Sequence, residues 1–270
     1  MSAAKLPSFK NPPVVETVLG VQFQDIEGWG VPHIGLFWET IRSDFPVFSV
    51  HPEITSHIEN DSPLVQQVEA QIELINQPEI RCWFVSSDGR LLIQLQHDRF
   101  LVNWRKQKAA DQYPRFDSTV ALFRDLWSKF TEFLASSGLK APSAIQCEVT
   151  YVNHIPRGKG WKNGDDWSQV FTCVKSQAID SSVPVESCAF QLTYAIPGKR
   201  GRLRINASQA MTAQSAQEII LLNLTSRGRP ATSDSSDITA WLATGREWIV
   251  RGFSAITTPE MHALWGREDV

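Results

Sequence analysis

The chain is predicted to be an α+β protein: two tandem copies of a β-α-β-β-β-α unit, forming a mostly antiparallel sheet with the long helices packed on one face. Three observations lead to this reading. Gly89-Arg90-Leu91-Leu92-Ile93 and Gly201-Arg202-Leu203-Arg204-Ile205 open strand-like runs in the same way. Each lies upstream of one long amphipathic helical pattern. The leading strands also correspond, Glu16 with Leu19, Val21 and Phe23 against Glu148 with Tyr151, Asn153 and Ile155. The expected organisation is an extended arm over 1–13, a first unit over 14–140 and a second over 141–270, packed as one globular body.

In the first unit, Asn11-Pro12-Pro13 reads as an extended entry, and Val14 to Phe23 as a strand by alternation. Pro32 suits a first helical turn, with Ile34, Phe37, Trp38, Ile41 and Phe45 at helical spacing up to Pro46. Gln71 to Ile75 and Arg81 to Ser86 read as strands, and Asp88-Gly89 as a tight turn. Between Arg90 and Arg105 the apolar parity changes, from Leu91, Ile93 and Leu95 to Phe100, Val102 and Trp104, which requires a bulge or turn near His97-Asp98. Ser118 to Ser137 is a helix with an aromatic stripe, and Gly138 supplies its left-handed stop.

The second unit repeats the order. Gln146 to Ile155 is a strand, Trp167, Val170, Phe171 and Val174 fit a short helix, and Phe190 to Ile196, Arg202 to Ala207 and Glu218 to Leu224 are strands. Ile238 to Ile256 is the second long helix, capped by Asp237, and Thr258-Pro259-Glu260 begins a short terminal helix.

Composition narrows the function classes. A chain of 270 residues, 42% hydrophobic and 20% charged, is long enough to bury a core and too apolar for disorder. No run approaches the roughly 20 apolar residues that span a bilayer, so no membrane association is expected. Met1 to Pro7 lacks the apolar stretch of a secretion signal, and the expected location is cytoplasmic. Cys82, Cys147, Cys173 and Cys188 have no metal-binding spacing and read as buried reduced thiols. Net charge is −3, which excludes strong global attraction to nucleic acid. Residues 1–135 carry 12 Lys and Arg against 17 Asp and Glu, while 136–270 carry 14 against 12.

Three groups of residues have chemistry to offer. Asp98, Arg99, Asn103, Trp104, Tyr113 and Arg115 form a dense polar and aromatic group, a candidate protein-binding surface. His97 beside Asp98 is the raw material of general acid–base work, but no nucleophile elbow accompanies it and no catalytic residue is assigned. Asp98 and Arg99, if adjacent on one strand, point to opposite faces and are not expected to pair. Asn153, sharing a face with Tyr151, is either a satisfied structural amide or a ligand contact; His154 takes the other face. The third group is a set of basic loops in the second half: Arg157, Lys159, Trp161 and Lys162; Lys199, Arg200, Arg202 and Arg204; Arg227 and Arg229. Brought together they would make a cationic rim for RNA or DNA, with Trp161 stacking on a base. No metal site and no cofactor are expected, since no His spacing, Walker loop or dinucleotide fingerprint is present.

Asn11-Pro12-Pro13-Val14-Val15-Glu16, Asp98-Arg99-Phe100 with Asn103, Tyr113-Pro114, Tyr151-Val152-Asn153 and Phe253…Ile256-Thr257…Trp265 together resemble an uncharacterised, sporadically distributed family of bacterial proteins of about 260 residues. The chain departs from the family pattern at Arg115-Phe116, where a small residue and Trp are more typical. The patchy distribution implies an accessory role, as in toxin–antitoxin or antiviral defence systems. The expected function is therefore a non-enzymatic interaction or regulatory subunit that binds a partner protein encoded nearby, with homo-oligomerisation compatible. The alternatives are nucleic-acid binding through the basic loops, or a small-molecule enzyme of unknown reaction.

Overall fold

The computed structural model describes residues 6–59, 80–175, 179–180, 182–212 and 215–268. Its elements in chain order are β1 (Ser8–Phe9), β2 (Val14–Phe23), α1 (Val31–Ile41), β3 (Val47–Pro52), β4 (Ile80–Val85), β5 (Leu91–Gln96), β6 (Arg99–Arg105), α2 (Arg115–Ser136), β7 (Ala144–Pro156), α3 (Trp167–Val170), β8 (Ala189–Ile196), β9 (Gly201–Met211), β10 (Glu218–Gly228), α4 (Ser235–Ile256), α5 (Pro259–Leu264) and β11 (Arg267–Glu268). The fold is mixed α+β. Among the described residues nine strands form one antiparallel sheet in the order β3-β4-β5-β6-β2-β7-β10-β9-β8, and β1 pairs with β11 in a separate two-stranded ladder.

The change of parity between Leu95 and Phe100 is a hairpin turn and not a bulge. Gln96 pairs with Arg99 and Leu95 with Phe100, so Leu91, Ile93 and Leu95 share one face with Phe100, Val102 and Trp104. That face continues through Leu19 and Val21 of β2 to Cys147 and Val149 of β7 and on to Leu203 and Ile205 of β9. It is the core face. Phe100 meets Phe123, Trp127 and Phe130 of α2 at ring separations of 5.2–6.3 Å. On α4, Gly245 lies against Val149 and Trp241, and Gly252 against Leu203, positions where any Cβ would crowd the strand beneath.

Helix ends follow local chemistry. α1 stops at Ile41, short of Phe45; Phe45 still fills the core and donates its amide to the Ile41 carbonyl. Gly138 ends α2 at φ +73°. α4 begins one turn earlier than its apolar stripe, with Asp234 at the N-cap and Asp237 inside the first turn, where its charge suits the helix dipole. Thr258 caps α5 by accepting from the Met261 amide at 3.4 Å. α3 is only a single turn, closed by the buried Trp167 and Val170, and Val174 lies outside it. Cys82 and Cys147 are buried thiols; Cys173 is exposed and Cys188 half-buried, contrary to expectation. The strand expected at Gln71 to Ile75 lies outside the described residues. Among the described residues no helix is long and apolar enough to cross a membrane.

Candidate functional site

The sheet face away from the core is built of polar side chains, many of them buried. Arg81 Nη1 donates to Gln94 at 2.8 Å, Gln94 Nε2 to Asn103 at 2.9 Å, and Asn103 Nδ2 to Glu16 at 2.6 Å, one row running across β4, β5, β6 and β2. A second row centres on Asp98. Its carboxylate accepts from Arg99 Nε at 3.0 Å and Nη2 at 3.1 Å, from Gln96 at 2.8 Å and from Gln22 at 2.9 Å. Asp98 and Arg99 therefore do pair. Asp98 is in the turn and not on the strand, so the alternation rule does not apply to it and its carboxylate turns back over the polar face. Burial alone would raise its carboxyl, but the bonds and charge of Arg99, with His97 and Gln96, outweigh that and hold it below the usual range.

Residues 53–59 cross this face as a strap. Gln96 Oε1 accepts from the Ile54 amide at 3.0 Å, Gln146 Oε1 from the Glu59 amide at 2.8 Å, and Gln22 bonds Ser56. The strap reaches the second half of the sheet at Glu59, whose carboxylate takes Arg204 Nε at 2.8 Å and Arg202 Nη1 at 3.2 Å. Arg227 is bound in turn by Glu148 at 2.5 Å.

These contacts settle where the expected site residues lie. Asp98, Arg99 and Asn103 are buried within the polar network, not displayed as a partner surface. Trp104 is buried on the core face, in contact with Tyr113. Of the basic loops, 199–204 and 227–229 do meet, because Arg202 pairs with Arg227 in the β9–β10 ladder. Arg202 and Arg204 share the single carboxylate of Glu59 and Arg227 is paired with Glu148, while Arg200 and Arg229 are exposed. The loop with Arg157, Lys159 and Lys162 lies at the other end of β10, about 30 Å of strand away. Trp161 is buried and its indole donates to the Ile155 carbonyl at 3.0 Å, so it offers no ring for stacking. Among the described residues no group of His, Cys, Asp and Glu could hold a metal.

The opposite side of the sheet holds a cleft of about 130 Å³ between the start of α2, the middle of α4 and the N-terminal segment. Its apolar wall is Phe9, Val14, Phe116, Leu224, Ile249 and Phe253. Its polar groups are Tyr113, Arg115, Asp117, Tyr151, Asn153 and Arg246. The Tyr113 and Tyr151 hydroxyls are 2.6 Å apart. Burial pushes both phenols up; for Tyr113 the neighbouring Tyr151 adds to this, while for Tyr151 Tyr113 and Arg246 oppose it. Both stay neutral hydrogen-bond donors at physiological pH. Arg246 lies 5.6 Å over the Phe116 ring, and its buried Nε has no acceptor. Asn153 donates to the Tyr151 and Leu222 carbonyls at 3.4 and 3.1 Å, which fixes its amide against the sheet.

Compared with protein-family models, curated proteins and solved structures, the chain matches none.

Arg115 gives the cleft its strain. It has φ +68°, a left-handed conformation that L residues other than Asn and Asp rarely adopt, and its Nη1 donates to the Phe9 carbonyl at 3.0 Å. That bond draws the N-terminal segment over the cleft mouth, where Phe9 packs on Phe253 at 5.3 Å. Tyr113, Arg115 and Asn153 were legible from sequence as candidates; Arg246 and Phe9 were not. The available signal for Arg246 was its position at the edge of the α4 stripe, one turn after Leu242 and one before Val250.

Proposed function

We propose that the chain is a non-catalytic binding protein, a regulatory or accessory subunit of the kind its family resemblance implies, whose ligand seats in the inter-helix cleft through an anionic group. The observation that carries this reading is the convergence of Arg115, Arg246 and a neutral tyrosine pair on the polar end of a cleft whose other walls are aromatic and aliphatic. Such a site binds an acid with an apolar tail: the guanidiniums and the one phenolic O–H not used between the two tyrosines are donors to a carboxylate, and the apolar wall takes the tail. Phenols held protonated are poor bases, which favours binding over turnover. We further propose that the fold arose from two copies of a β-α-β-β-β-α unit with the long helices on a common face. In support, β2 and β7 are adjacent, and the strands step outward as β6, β5, β4 on one side and β10, β9, β8 on the other. The engaged state of Arg202, Arg204 and Arg227 weighs against a nucleic-acid role for the basic loops.

The test is calorimetric titration of the full chain with short aliphatic and aromatic carboxylates. Binding that weakens about tenfold or more in Arg246→Gln is expected, because removing a charged donor costs about 1.5–3 kcal/mol. Absence of heat with every acid, or equal affinity in the variant, overturns the assignment.

A further inference from the structure

We propose that the polar face of the sheet carries a second, independent binding site for a compact oxyanion, phosphate or carboxylate, at Arg81, Trp83 and Arg105. Three buried donors gather there without acceptors among the described residues: Arg81 Nε, Trp83 Nε1 and Arg105 Nε. The guanidinium carbons of Arg81 and Arg105 lie 5.4 and 5.5 Å from the Trp83 ring centre, so both guanidiniums sit against the indole that carries the third donor. A buried donor left unpaired costs about 1–3 kcal/mol, and three in one place are a standing deficit. An oxyanion meets it, having several acceptor oxygens and no competing donors.

The charge balance agrees. Neither Arg81 nor Arg105 forms an ion pair with another described residue within 4.0 Å. The carboxylates nearby are committed elsewhere: Asp98 to Arg99, Gln96 and Gln22, and Glu16 to Asn103. Burial raises the Glu16 carboxyl above its ordinary value, against the Asn103 bond and the charge of Arg105, which lower it. Burial and the like charge of Arg99 push Arg81 down, and burial and Arg81 push His51 down. Arg81 thus sits near Arg99, whose own charge is answered by Asp98, and Arg105 lies across the ladder from the buried Glu16. The other arms of both arginines are anchored, Arg81 Nη1 on Gln94 at 2.8 Å and Arg105 Nη2 on the Gly89 carbonyl at 3.2 Å. His51 stacks on Trp83 at 3.9 Å and holds the indole in place. Both guanidinium groups are therefore held in place with their Nε donors unpaired among the described residues.

The experiment titrates the full chain separately with inorganic phosphate and with acetate, at constant ionic strength set with chloride, and reads binding heat and the fluorescence difference between wild type and Trp83→Phe. Saturable binding of one or both anions is expected, the preferred one identifying the ligand's head group. Arg81→Gln and Arg105→Gln should each weaken it about tenfold or more. Arg105→Lys, which keeps the charge but lacks the Nε donor, should weaken it by less than Arg105→Gln, and provides the reading if the glutamine variants fail to fold. Arg124→Gln, on the exposed side of α2, should bind as wild type. No saturable binding of either anion, or binding unaltered by the Arg81 and Arg105 substitutions, overturns the proposal. Because Arg246→Gln belongs to the cleft on the other face, its effect on phosphate or acetate separates the two sites.

Discussion

Tyr113, in the loop before α2, and Tyr151, on β7, meet hydroxyl to hydroxyl at 2.6 Å with their rings 69° apart. The bond joins the start of a helix to the middle of the sheet at the inner end of the cleft. Removing the Tyr151 hydroxyl takes away the partner of Tyr113, so Tyr151→Phe is expected to cost about 1–2 kcal/mol in urea unfolding. Since burial holds both phenols protonated, their phenolate absorbance should appear only as the protein unfolds in alkali, and the double Tyr113→Phe, Tyr151→Phe variant should lack that late component.

Arg115 should separate backbone cost from side-chain benefit. Arg115→Gly relieves a left-handed non-glycine residue, a gain of about 1 kcal/mol, while losing the Phe9 carbonyl bond. Global stability should change by less than about 1 kcal/mol. Local protection should fall: the Lys10 and Asn11 amides, bonded to Gly266 and Trp265 at 2.9 and 3.0 Å, should exchange faster with solvent deuterium. Unchanged exchange there would mean that the β1–β11 ladder holds the segment without Arg115.

Two glutamates on the polar face should respond to pH in opposite directions. For Glu59, burial raises the carboxyl but the bonds and charge of Arg204, then Arg202 and His57, win and hold it below its ordinary 4.5. Its contribution is present above that value and lost as pH falls through the lower folded one. Glu59→Gln should cost about 2 kcal/mol at neutral pH and flatten the acid limb of the stability curve. For Glu16, burial dominates over Asn103 and Arg105 and the carboxyl is raised above 4.5. Its favourable state is the neutral one, present below that value and lost as pH rises through the higher folded one. Glu16→Gln should therefore be more stable than wild type at neutral pH, with the gap closing in acid, as measured by thermal unfolding across the range.

Gly20 is required by its neighbour across the strand. On the polar face of β2, a Cβ at Gly20 would overlap the Leu101 side chain, which lies flat across the position. Gly20→Ala is expected to cost about 1–3 kcal/mol by overpacking, and Leu101→Ala in the same chain should recover part of it. Urea midpoints of the two single variants and the pair would measure that coupling.

The strands and long helices were legible because their apolar periods are strong. Val14–Phe23 matches β2 end to end, and the stripe from Phe123 to Leu134 is the buried side of α2. β1, β3 and β11 were not anticipated. The first and last are two residues each and exist only because the N- and C-terminal segments meet, and β3, at the sheet edge, exposes Val47, Phe48 and Val50 and half-buries only Ser49 and His51, so it has no clean apolar alternation. Residue types marked the polar group at Asp98, Arg99 and Asn103, yet their burial depends on a strap more than 40 residues away in sequence, as between Ile54 and Gln96. The cleft is the harder case. It needs Phe9, Tyr113, Tyr151 and Arg246 together, four segments whose meeting is a property of strand order and helix placement that no local pattern encodes.

The adjacency of β2 and β7 has a consequence for how this protein can be handled. The two halves share one antiparallel ladder, with ten residues of β2 beside thirteen of β7 and register shifts near both ends of β2. Cutting the chain near residue 140 would not release two finished pieces. Each piece would carry a long strand with one side of its backbone bare and an apolar face beside it, an invitation to pair with any strand it meets. A two-plasmid split system is therefore a natural format: the halves expressed apart should aggregate, and expressed together should find each other through that seam.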